Sequence, residues 1–405
     1  MTDRTDWKEL KQEAFALEPW LVQLRHRLHA CPERGFEEWK TAEIIRQTLG
    51  ALGLRYRTYG TGTVVDVAGN GDAPLIALRA DIDALPIQEQ TGLPFASQNP
   101  GMMHACGHDT HTAMLLGAAK LIAAHADRLP GPVRLIFQPA EEGGGGAQKL
   151  VEQGVIDGVS AIYCLHVVAR QPVGTFKTRS GLIHASSDGF QITVDGHSCH
   201  GASPHGGVDA IVLASHIVLA LQELIAREKP ATSPAVLTIG KIAGGTARNI
   251  LCGQAVMDGT LRAQDEQVRA MLKQRIEQIA QGQASTLRGS ARVDFLQGYC
   301  LCHNDEALTP KAAALAEELF GEGCVRQMPA ASMGSEDFGA YQQVIPGVKL
   351  YIGTGRDEDI HTPFFQVDER MLPYGTAFLT ALTLARPSRC GNCSEKHEPK
   401  CEKHS

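Results

Sequence analysis

The chain has 405 residues, of which 43% are hydrophobic and 20% are charged, as in an ordinary globular protein. The formal net charge of -7 offers no basic surface for nucleic acid or for an anionic membrane, so a small-molecule partner is favoured. Because a single core stops growing at about 250 to 300 residues, we expect two domains.

The N-terminal stretch and the cysteines bear on the cellular compartment. The stretch MTDRTDWKELKQEAF is charged and lacks the apolar segment of a signal peptide. No window approaches 18 uninterrupted apolar residues, so we expect no membrane span. Most of the 11 cysteines are scattered along the chain, which is typical of reduced thiols, and we therefore expect a cytoplasmic protein.

The C-terminal tail, residues 389–405, differs from the rest of the chain. It is polar and contains five soft metal donors at close spacing, namely Cys390, Cys393, His397, Cys401 and His404. No apolar residue there could build a core around them. We favour a disordered polar tail and keep metal binding as the alternative.

The first half of the chain alternates helical and strand patterns. EPWLVQLRHRLHACPERGFEEWKTAEIIRQTLGALGL has apolar residues at helical spacing on both sides of a Pro/Gly interruption, which predicts two helices. The runs GTVVDVAG and PLIALRADIDAL predict strands. A helix, TAMLLGAAKLIAAHADRL, follows, and then the strands PVRLIF and AIYCLHV. This alternation predicts an α/β domain with a mostly parallel sheet flanked by helices.

The pattern changes at about Ser187. GFQITVDG, AVLTIGKIAGG, QAVMDGTLRA and ARVDFLQGY predict strands, with helices over DAIVLASHIVLALQELIAR and EQVRAMLKQRIEQIAQGQAST. The order βαββαβ is that of a ferredoxin-like α+β unit. After Asn304 the chain returns to helix, strand, loop and helix. We therefore predict an inserted domain over 187–298 and a discontinuous first domain over 1–186 and 299–388.

The stretch MMHACGHDTH, residues 102–111, concentrates metal-binding and nucleophilic groups. Cys106 and His108 are two positions apart, so on extended backbone their side chains point to the same side. Thiolate and imidazole are ligands that Zn²⁺ prefers. The pair alone is also compatible with a structural loop or with a thiol nucleophile and its base. His104 and His111 are expected to support the loop or to start the following helix.

Two adjacent carboxylates, Glu141 and Glu142, follow the apolar strand VRLIF. Ligands of open α/β sheets bind at the carboxyl ends of strands. One carboxylate of such a pair can bind metal while the other takes a proton from water. A solvated acidic turn is the alternative, but the run Gly143–Gly146 would let the backbone approach a ligand closely.

Two histidines are expected at the same edge of the sheet. His166 ends the strand AIYCL, and His361 follows the strand VKLYIG. With Cys106, His108 and Glu142 they supply five donors from four strand-end loops. Five ligands are too many for one open catalytic zinc and suit two metal ions that share a water.

Seven motifs now carry a resemblance that extends from about residue 20 to 385. LHACPERGFEE, LRADIDALPI, MHACGHDTHTAMLLGAA, FQPAEEGGGGA, GASPHGGVDAI, MGSEDFGAY and IHTPFF resemble, in order and spacing, the aminoacylase and hippurate hydrolase family of dinuclear metallo-amidohydrolases. This family of the carboxypeptidase-like metallopeptidase superfamily includes plant auxin-conjugate hydrolases. The resemblance implies a metal-binding catalytic domain and an inserted lid and dimerisation domain in a homodimer.

The resemblance also implies roles for particular residues. It assigns the two metals to Cys106, His108, Glu142, His166 and His361. Glu141 is implied as the general base, and Asp83 is implied behind the metal centre, where it orients a ligand.

Three residues of the inserted domain match family positions that meet the substrate. His200 is implied to polarise the scissile carbonyl, commonly in the active site of the other subunit. Asn249 and Arg262 are implied to contact substrate, and a guanidinium suits a carboxylate, although Arg262 also fits a surface strand. Ser198, Cys199, Leu251 and Cys252 depart from the family pattern, and we expect these departures to bear on substrate choice.

These observations predict an enzyme that hydrolyses N-acyl amino acids with two divalent ions. Thiolate ligation favours Zn²⁺, Co²⁺ or Ni²⁺, whereas relatives are often active with Mn²⁺. One alternative is a deacetylase of one biosynthetic intermediate, N-acetyl-diaminopimelate or an N-acetyl-cysteine derivative, and another is a dipeptidase. A thiol hydrolase using Cys106 stays open. A metal-binding protein on an inactive hydrolase scaffold is disfavoured, because Glu141 and all five ligands are present.

Overall fold

The computed structural model describes residues 7–296 and 298–386, so the predicted Cys/His-rich tail lies outside the described residues. The helices are α1 Trp7–Ala16, α2 Glu18–His29, α3 Trp39–Ala51, α4 His108–Ala124, α5 Gly146–Glu152, α6 Ala210–Glu223, α7 Glu266–Thr286, α8 Leu308–Phe320, α9 Gly339–Gln342 and α10 Leu372–Leu384. The strands are β1 Tyr56–Tyr59, β2 Gly62–Val67, β3 Ile76–Asp81, β4 Val133–Gln138, β5 Ala161–Val168, β6 Phe176–Thr178, β7 Gly181–His184, β8 Ser186–Asp195, β9 Ala235–Gly244, β10 Gln254–Ala263, β11 Ser290–Phe295, β12 Cys302–Asn304, β13 Val325–Gln327 and β14 Gly347–Gly353.

An eight-stranded sheet in the order β1-β2-β4-β3-β5-β14-β6-β13 forms the larger unit. Its central strands β4, β3, β5 and β14 pair in parallel, and antiparallel pairs lie outside them. Strands β3, β4 and β14 are buried along their whole length, as apolar strands covered on both faces are. The predicted mostly parallel sheet flanked by helices is confirmed.

Helix α4 lies at the centre of the larger core. It is buried at nearly every position from His108 to Ile122, as expected for a helix that is apolar on all sides. It packs against α2, α10 and the sheet strand β3. Because α4 begins at His108, the core itself fixes the position of that histidine.

The smaller unit is a four-stranded antiparallel sheet in the order β11-β8-β10-β9, with helices α6 and α7 packed on it. The chain order βαββαβ is the predicted one. Residues of β8 alternate between buried and half-buried, and α7 buries a residue at almost every fourth position, so each element turns one face to a shared core. Asp209 and Asp265 cap the two helices by accepting hydrogen bonds from Ile211 N and Val268 N.

The chain enters and leaves the smaller unit side by side. Ser187 N donates to Tyr299 O at 3.0 Å, and Tyr299 N donates to Ser187 O at 2.7 Å. The domain boundaries that the sequence predicts lie next to this pair of backbone hydrogen bonds, and the division into these domains stays a prediction.

Among the described residues, one helical stretch, Ala210–Glu228, is long and apolar enough to cross a membrane by length and composition alone, and 33% of its most apolar window is buried. The prediction of no membrane span considered only uninterrupted apolar runs, and Ser215, His216 and Gln222 interrupt this stretch. Its buried side packs on the four-stranded sheet, whereas Ile211 and Leu219 are exposed.

Several short elements were not predicted. The strands β6, β7, β12 and β13 have three or four residues each, too few for a periodic pattern to show. Helix α1 was also missed, since its sequence is charged and only Leu10 and Ala14 are buried. The long elements lie where the sequence predicts them.

Candidate metal centre

The loop that carries Cys106 and His108 is not extended, contrary to the expectation from their spacing. Gly107 between them has a left-handed φ of 82°, and a Cβ at this position would lie 2.7 Å from Val167 Cγ2. The chain therefore turns sharply and begins α4 at His108. Only glycine fits this conformation and this close approach.

The glycines after Glu142 mainly serve the turn itself. Gly145 has a φ of 63°, and a Cβ on Gly146 would overlap the Pro139 carbonyl. Gly143, Gly144 and Gly145 also line the neighbouring cavity. The predicted close approach of backbone to ligand is thus only part of the reason for this run.

The five predicted ligand side chains converge. His361 Nε2 lies 3.3 Å from Cys106 Sγ and 3.3 Å from Glu142 Oε1. His166 Nε2 lies 3.6 Å from Cys106 Sγ, and His108 Nε2 lies 3.9 Å from Glu142 Oε1. Bonds of about 2.0 to 2.3 Å to a shared ion place its donors roughly 3.3 to 3.8 Å apart. The spacing is that of metal ligands.

Two loops that reach the centre from distant parts of the sequence are joined by backbone. His361 N donates to the Ala105 carbonyl at 2.8 Å, next to Cys106. His361 itself has a φ of 62°, which is uncommon outside glycine and typical of functional positions. His166 lies within β5, two residues before the strand ends, rather than at its end.

The ring nitrogens show which atoms are available to a cation. His108 Nδ1 lies 2.9 Å from the Asp83 carbonyl and His166 Nδ1 lies 2.8 Å from the Val167 carbonyl, so each donates there and presents Nε2 to the centre. Within the described residues, His108 Nε2 and Glu142 Oε1 are buried without a hydrogen-bond partner. Such orphaned atoms are costly unless a ligand satisfies them. The donor set therefore fits divalent metal ions.

Asp83 connects a ligand histidine to the glutamate turn. Its Oδ1 lies 3.2 Å from His108 Nδ1, and its Oδ2 accepts a hydrogen bond from Glu142 N at 2.9 Å. The side chain is almost fully buried. This position behind the donors is the one that the sequence resemblance implied.

A second group of metal-binding side chains surrounds His111, but both ring nitrogens of His111 are already used in hydrogen bonds. Val167 N donates to His111 Nε2 at 2.9 Å, so Nδ1 carries the proton and donates to Asp81 Oδ1 at 2.6 Å. No lone pair remains on His111 for a metal. The residue instead holds the backbone next to His166.

Negative charge dominates the centre. Burial alone would lower the pKa of His108, but the carboxylates of Asp81, Asp83 and Glu142 raise it to about 10. Burial and Lys349 lower the pKa of His166 well below its usual range. A divalent ion in place of the proton on His108 would neutralise the excess of carboxylates.

Glu141 is enclosed by other carboxylates. Burial, followed by the charges of Glu336, Glu142 and Asp337, raises the pKa of Glu141 well above its usual range. A carboxylate with raised proton affinity is suited to general-base and general-acid work. Burial and the neighbouring Glu142 and Glu141 also raise the pKa of the Cys106 thiol, which is the opposite of an activated nucleophile.

Two buried cations balance the charge of these acids, and neither was predicted from the sequence. Arg79 contacts Asp337 at 2.9 Å and Glu336 at 3.1 Å, and Lys349 Nζ forms an ion pair with Glu336. Each cation lies inside a mostly apolar and fully buried strand, β3 or β14. A charged residue within a buried strand is the sequence signal that could have revealed this network.

Tyr299 was also missed. Its hydroxyl donates to the backbone carbonyl of Glu141, while its backbone pairs with Ser187 at the chain crossing. The position of the glutamate is thereby connected to the junction of the two units. A tyrosine in a loop with no neighbouring motif gives no signal in the sequence.

A cavity of about 890 Å³ opens beside the centre and is lined by Cys106, Glu141, Glu142, His166, His361 and Arg262 among others. His200 and Asn249 do not line it. They lie together on the exposed end of the smaller unit, where Gly201 N donates to the Asn249 carbonyl at 2.8 Å. Ala202 N donates to His200 Nδ1 at 3.1 Å, so neutral His200 carries its proton on Nε2.

The parallel sheet, the converging donors and the buried glutamate beside them define a metal-dependent hydrolase. Residues 77–385 match the family model described as Peptidase family M20/M25/M40. The chain belongs to this family and is a hydrolase that acts on amide bonds. The family predicted from the seven sequence motifs is confirmed.

Relatives of known name cover nearly the whole chain. The N-acetyl-L-cysteine deacetylase of Bacillus subtilis (strain 168) is 40% identical over 386 residues, which are 93% of this chain and 92% of that protein. The IAA-amino acid hydrolase ILR1-like 4 of Arabidopsis thaliana is 42% identical over 369 residues, 88% of this chain and 83% of that protein. A Bacillus subtilis structure described as a dinuclear metal binding peptidase from the M20 family has a TM-score of 0.78 at 36% identity and covers 91% of this chain and 99% of its own. These similarities and the donor set support two divalent ions.

Proposed function

We propose that this protein hydrolyses N-acyl amino acids to a carboxylic acid and a free amino acid. The observation that carries the proposal is the convergence of five metal donors beside Glu141 at a cavity of about 890 Å³. This volume leaves room for acyl groups larger than acetyl. The named relatives act on an N-acetyl amino acid and on IAA-amino acid conjugates by their names.

The chain's own residues supply the proton transfers. Cys106, His108, Glu142, His166 and His361 would hold two divalent ions. When bound, these ions polarise the amide carbonyl and make water more acidic. Glu141 takes a proton from the attacking water as its oxygen bonds to the carbonyl carbon, and then delivers the proton to the leaving nitrogen as the C–N bond breaks.

We assign His200 to the active site of a second copy of the chain. The residue is exposed and does not line the cavity of its own chain, and its protonated Nε2 could donate to a substrate carbonyl. The adjoining face of the smaller unit has the features of a dimer interface. Strand β9 is a sheet edge, and the exposed apolar side chains around it are Ile211, Val212, Leu219, Val236 and Ile242.

Arg262 and Asn249 are proposed substrate contacts. Arg262 lines the cavity and donates from NH1 to the Met333 carbonyl at 2.9 Å, which holds its guanidinium at the cavity wall. A substrate α-carboxylate is the matching anion. Asn249 lies beside His200 and would reach the substrate of the partner's site together with it.

The metal is inferred from the ligand types, and the compartment is inferred from the free thiols. One thiolate among imidazole and carboxylate ligands suits Zn²⁺, Co²⁺, Ni²⁺ or Mn²⁺. Eight cysteines lie in the described residues and all have free thiols, as in a reducing compartment. We infer a cytoplasmic enzyme.

A deacetylase restricted to one N-acetyl-cysteine derivative is the second candidate function. The 40% identity to the N-acetyl-L-cysteine deacetylase favours it. Both functions use the same Glu141 and the same five donors. They differ in whether bulky acyl groups are accepted.

The test is hydrolysis of a substrate panel by metal-depleted protein that is resupplied with Zn²⁺, Mn²⁺, Co²⁺ or Ni²⁺. N-acetyl, N-benzoyl and indole-acetyl amino acids are compared with dipeptides. We expect activity only after metal is added and with several acyl groups. Activity confined to N-acetyl-cysteine compounds would establish the second function, and metal-independent activity would refute both.

A further inference from the structure

Three side chains form one row across the floor of the cavity. Tyr351 in β14 pairs with His166 in β5 and with Lys177 in β6. Residues opposite each other on neighbouring strands project from the same face of a sheet. Strands lie about 4.8 Å apart, so the backbone of Lys177 is roughly 10 Å from that of His166. All three residues line the cavity.

The polar neighbours of this row are already paired. Tyr351 Oη lies 2.5 Å from His184 Nε2, and His184 Nδ1 lies 3.2 Å from the Gly334 carbonyl. The histidine therefore donates to the carbonyl and accepts from the tyrosine. Lys349, two residues before Tyr351 on the same strand face, forms its ion pair with Glu336. The polar groups of Tyr351, His184 and Lys349 therefore have partners within the protein.

Lys177 is the exception. The residue is half-buried, and its Nζ makes no hydrogen bond or ion pair in the part of the chain that the structure describes. Of the carboxylates that line the cavity, Glu336 contacts Lys349 and Arg79, Asp359 contacts Arg170 at 2.6 Å, and Glu142 lies 3.3 Å from His361 Nε2. Among the described residues none of these carboxylates, nor that of Glu141, forms an ion pair with Lys177. A half-buried ammonium without a counter-charge is complementary to an anion on a bound molecule.

We propose that Lys177 is a specificity-determining residue that binds a carboxylate placed away from the scissile amide. The inference rests on the proposed hydrolysis of N-acyl amino acids, in which Arg262 on the opposite unit takes the α-carboxylate. The second carboxylate belongs either to an acidic amino-acid side chain or to a dicarboxylic acyl group. The preferred substrates are therefore N-acyl amino acids with two carboxylates.

Matched substrate pairs test the proposal with the metal-loaded enzyme. N-acetyl-glutamate is compared with N-acetyl-glutamine, and N-succinyl-methionine with the monoamide in which the succinyl carboxylate is amidated. Both members of each pair keep the α-carboxylate, and they differ in the second carboxylate. We expect kcat/KM to favour the charged member of one pair by roughly tenfold, the range of a charge-assisted hydrogen bond. The pair that shows the preference identifies which part of the substrate carries the second carboxylate.

Variants distinguish direct recognition from a structural role. Lys177→Met should abolish the preference, and Lys177→Glu should reverse it, so that Nα-acetyl-lysine becomes a better substrate than N-acetyl-glutamate. Lys120→Met is the matched control, because Lys120 is also half-buried but packs over the Trp20 ring outside the cavity. The control should keep the preference of the unchanged protein.

Two negative outcomes of this experiment lead to different conclusions. Equal hydrolysis of the two members of each pair, or a preference that survives Lys177→Met, would overturn the role of Lys177 and leave the proposed function intact. Absence of any hydrolysis would count against the proposed function. In that case calorimetric binding of the same pairs to metal-loaded Glu141→Gln, with and without Lys177→Met, still decides whether Lys177 binds the distal carboxylate.

Discussion

Glu141 is the residue whose removal should separate metal binding from turnover. Glu141→Gln keeps the size of the side chain and all five metal donors but cannot accept a proton. We expect unchanged metal content and a loss of kcat of roughly 10² to 10⁴-fold. Metal analysis and steady-state kinetics check this, with the exposed Glu152→Gln as control. Turnover that survives the change would exclude Glu141 as the base.

Cys106 distinguishes a metal ligand from a nucleophile. Its Sγ lies between His361 Nε2 and His166 Nε2, so Cys106→Ala should release metal as well as abolish activity. The readout is metal stoichiometry after dialysis, compared with Cys324→Ala, a half-buried cysteine elsewhere in the chain. A variant that retains both metals but is inactive would support thiol catalysis instead.

The sequence predicted the donors better than their surroundings. His166 lies near the end of a recognisable strand and His361 follows one, and parallel strands bring such positions to one edge. The pairing of Arg79 with Asp337 joins residues 258 positions apart, and no local pattern specifies such a partner. The partners in these buried ion pairs can therefore be identified only once the fold is known.

At the level of elements, the chain crossing between the two units should affect the geometry of Glu141. Tyr299→Phe removes the hydroxyl that donates to the Glu141 carbonyl. This partly buried hydrogen bond holds the backbone of the proton-transferring residue, and misplacement of a catalytic group slows turnover, so we expect kcat to fall roughly tenfold with metal content unchanged. Kinetics with fully metal-loaded protein measure this. An unchanged kcat would show that the bond does not position Glu141.

The control for Tyr299→Phe is Tyr163→Phe, since Tyr163 is also half-buried but is not among the residues that line the cavity. A purely structural effect would appear as reduced stability in both variants. A positioning role would appear as reduced kcat in Tyr299→Phe alone.

The elements themselves were predictable where their patterns are long. Strands β4 and β14 are mostly apolar and buried at every position, and α7 has a regular apolar stripe. The conformation of the Cys106 loop was predicted wrongly, because two side chains two apart can also meet across a left-handed glycine. Gly107 could have indicated this turn, but a single glycine does not specify it.

At the level of the whole molecule, the placement of His200 predicts complementation between subunits. His200→Ala and Glu141→Gln should each be nearly inactive alone. A mixture that is unfolded and refolded together contains heterodimers in which one site has both residues intact. We expect such a mixture to recover about a quarter of the activity of the unchanged protein. If His200 served its own chain, the mixture would stay inactive.

The stability of the molecule should depend on pH through His184. Burial and Lys349 lower the pKa of His184 to about 3, whereas the unfolded value is about 6.5. Above pH 6.5 the ring is neutral in both states. Below that pH the His184 ring binds a proton in the unfolded chain but stays neutral in the native protein. The free energy of unfolding therefore falls by about 1.4 kcal/mol per pH unit until about pH 3.

His184→Gln tests this dependence by removing one titrating group. Urea unfolding of metal-free protein at pH 7, 6 and 5 should show a shallower loss of stability in the variant, by about one proton. The exposed His205→Gln should leave the slope unchanged. Equal slopes for His184→Gln and the unchanged protein would contradict the assignment.

The adjacent crossings at Ser187 and Tyr299 have a consequence for the modularity of the chain. The two backbones are hydrogen-bonded to each other there, so removal of residues 188–298 would leave the cut ends of the remaining chain side by side. A short linker would then close the gap without a long loop. Among its described residues, that stretch contributes no strand to the larger sheet. The same junction could therefore accept an inserted domain of unrelated sequence. The larger unit would then keep its five donors while the domain beside them changes.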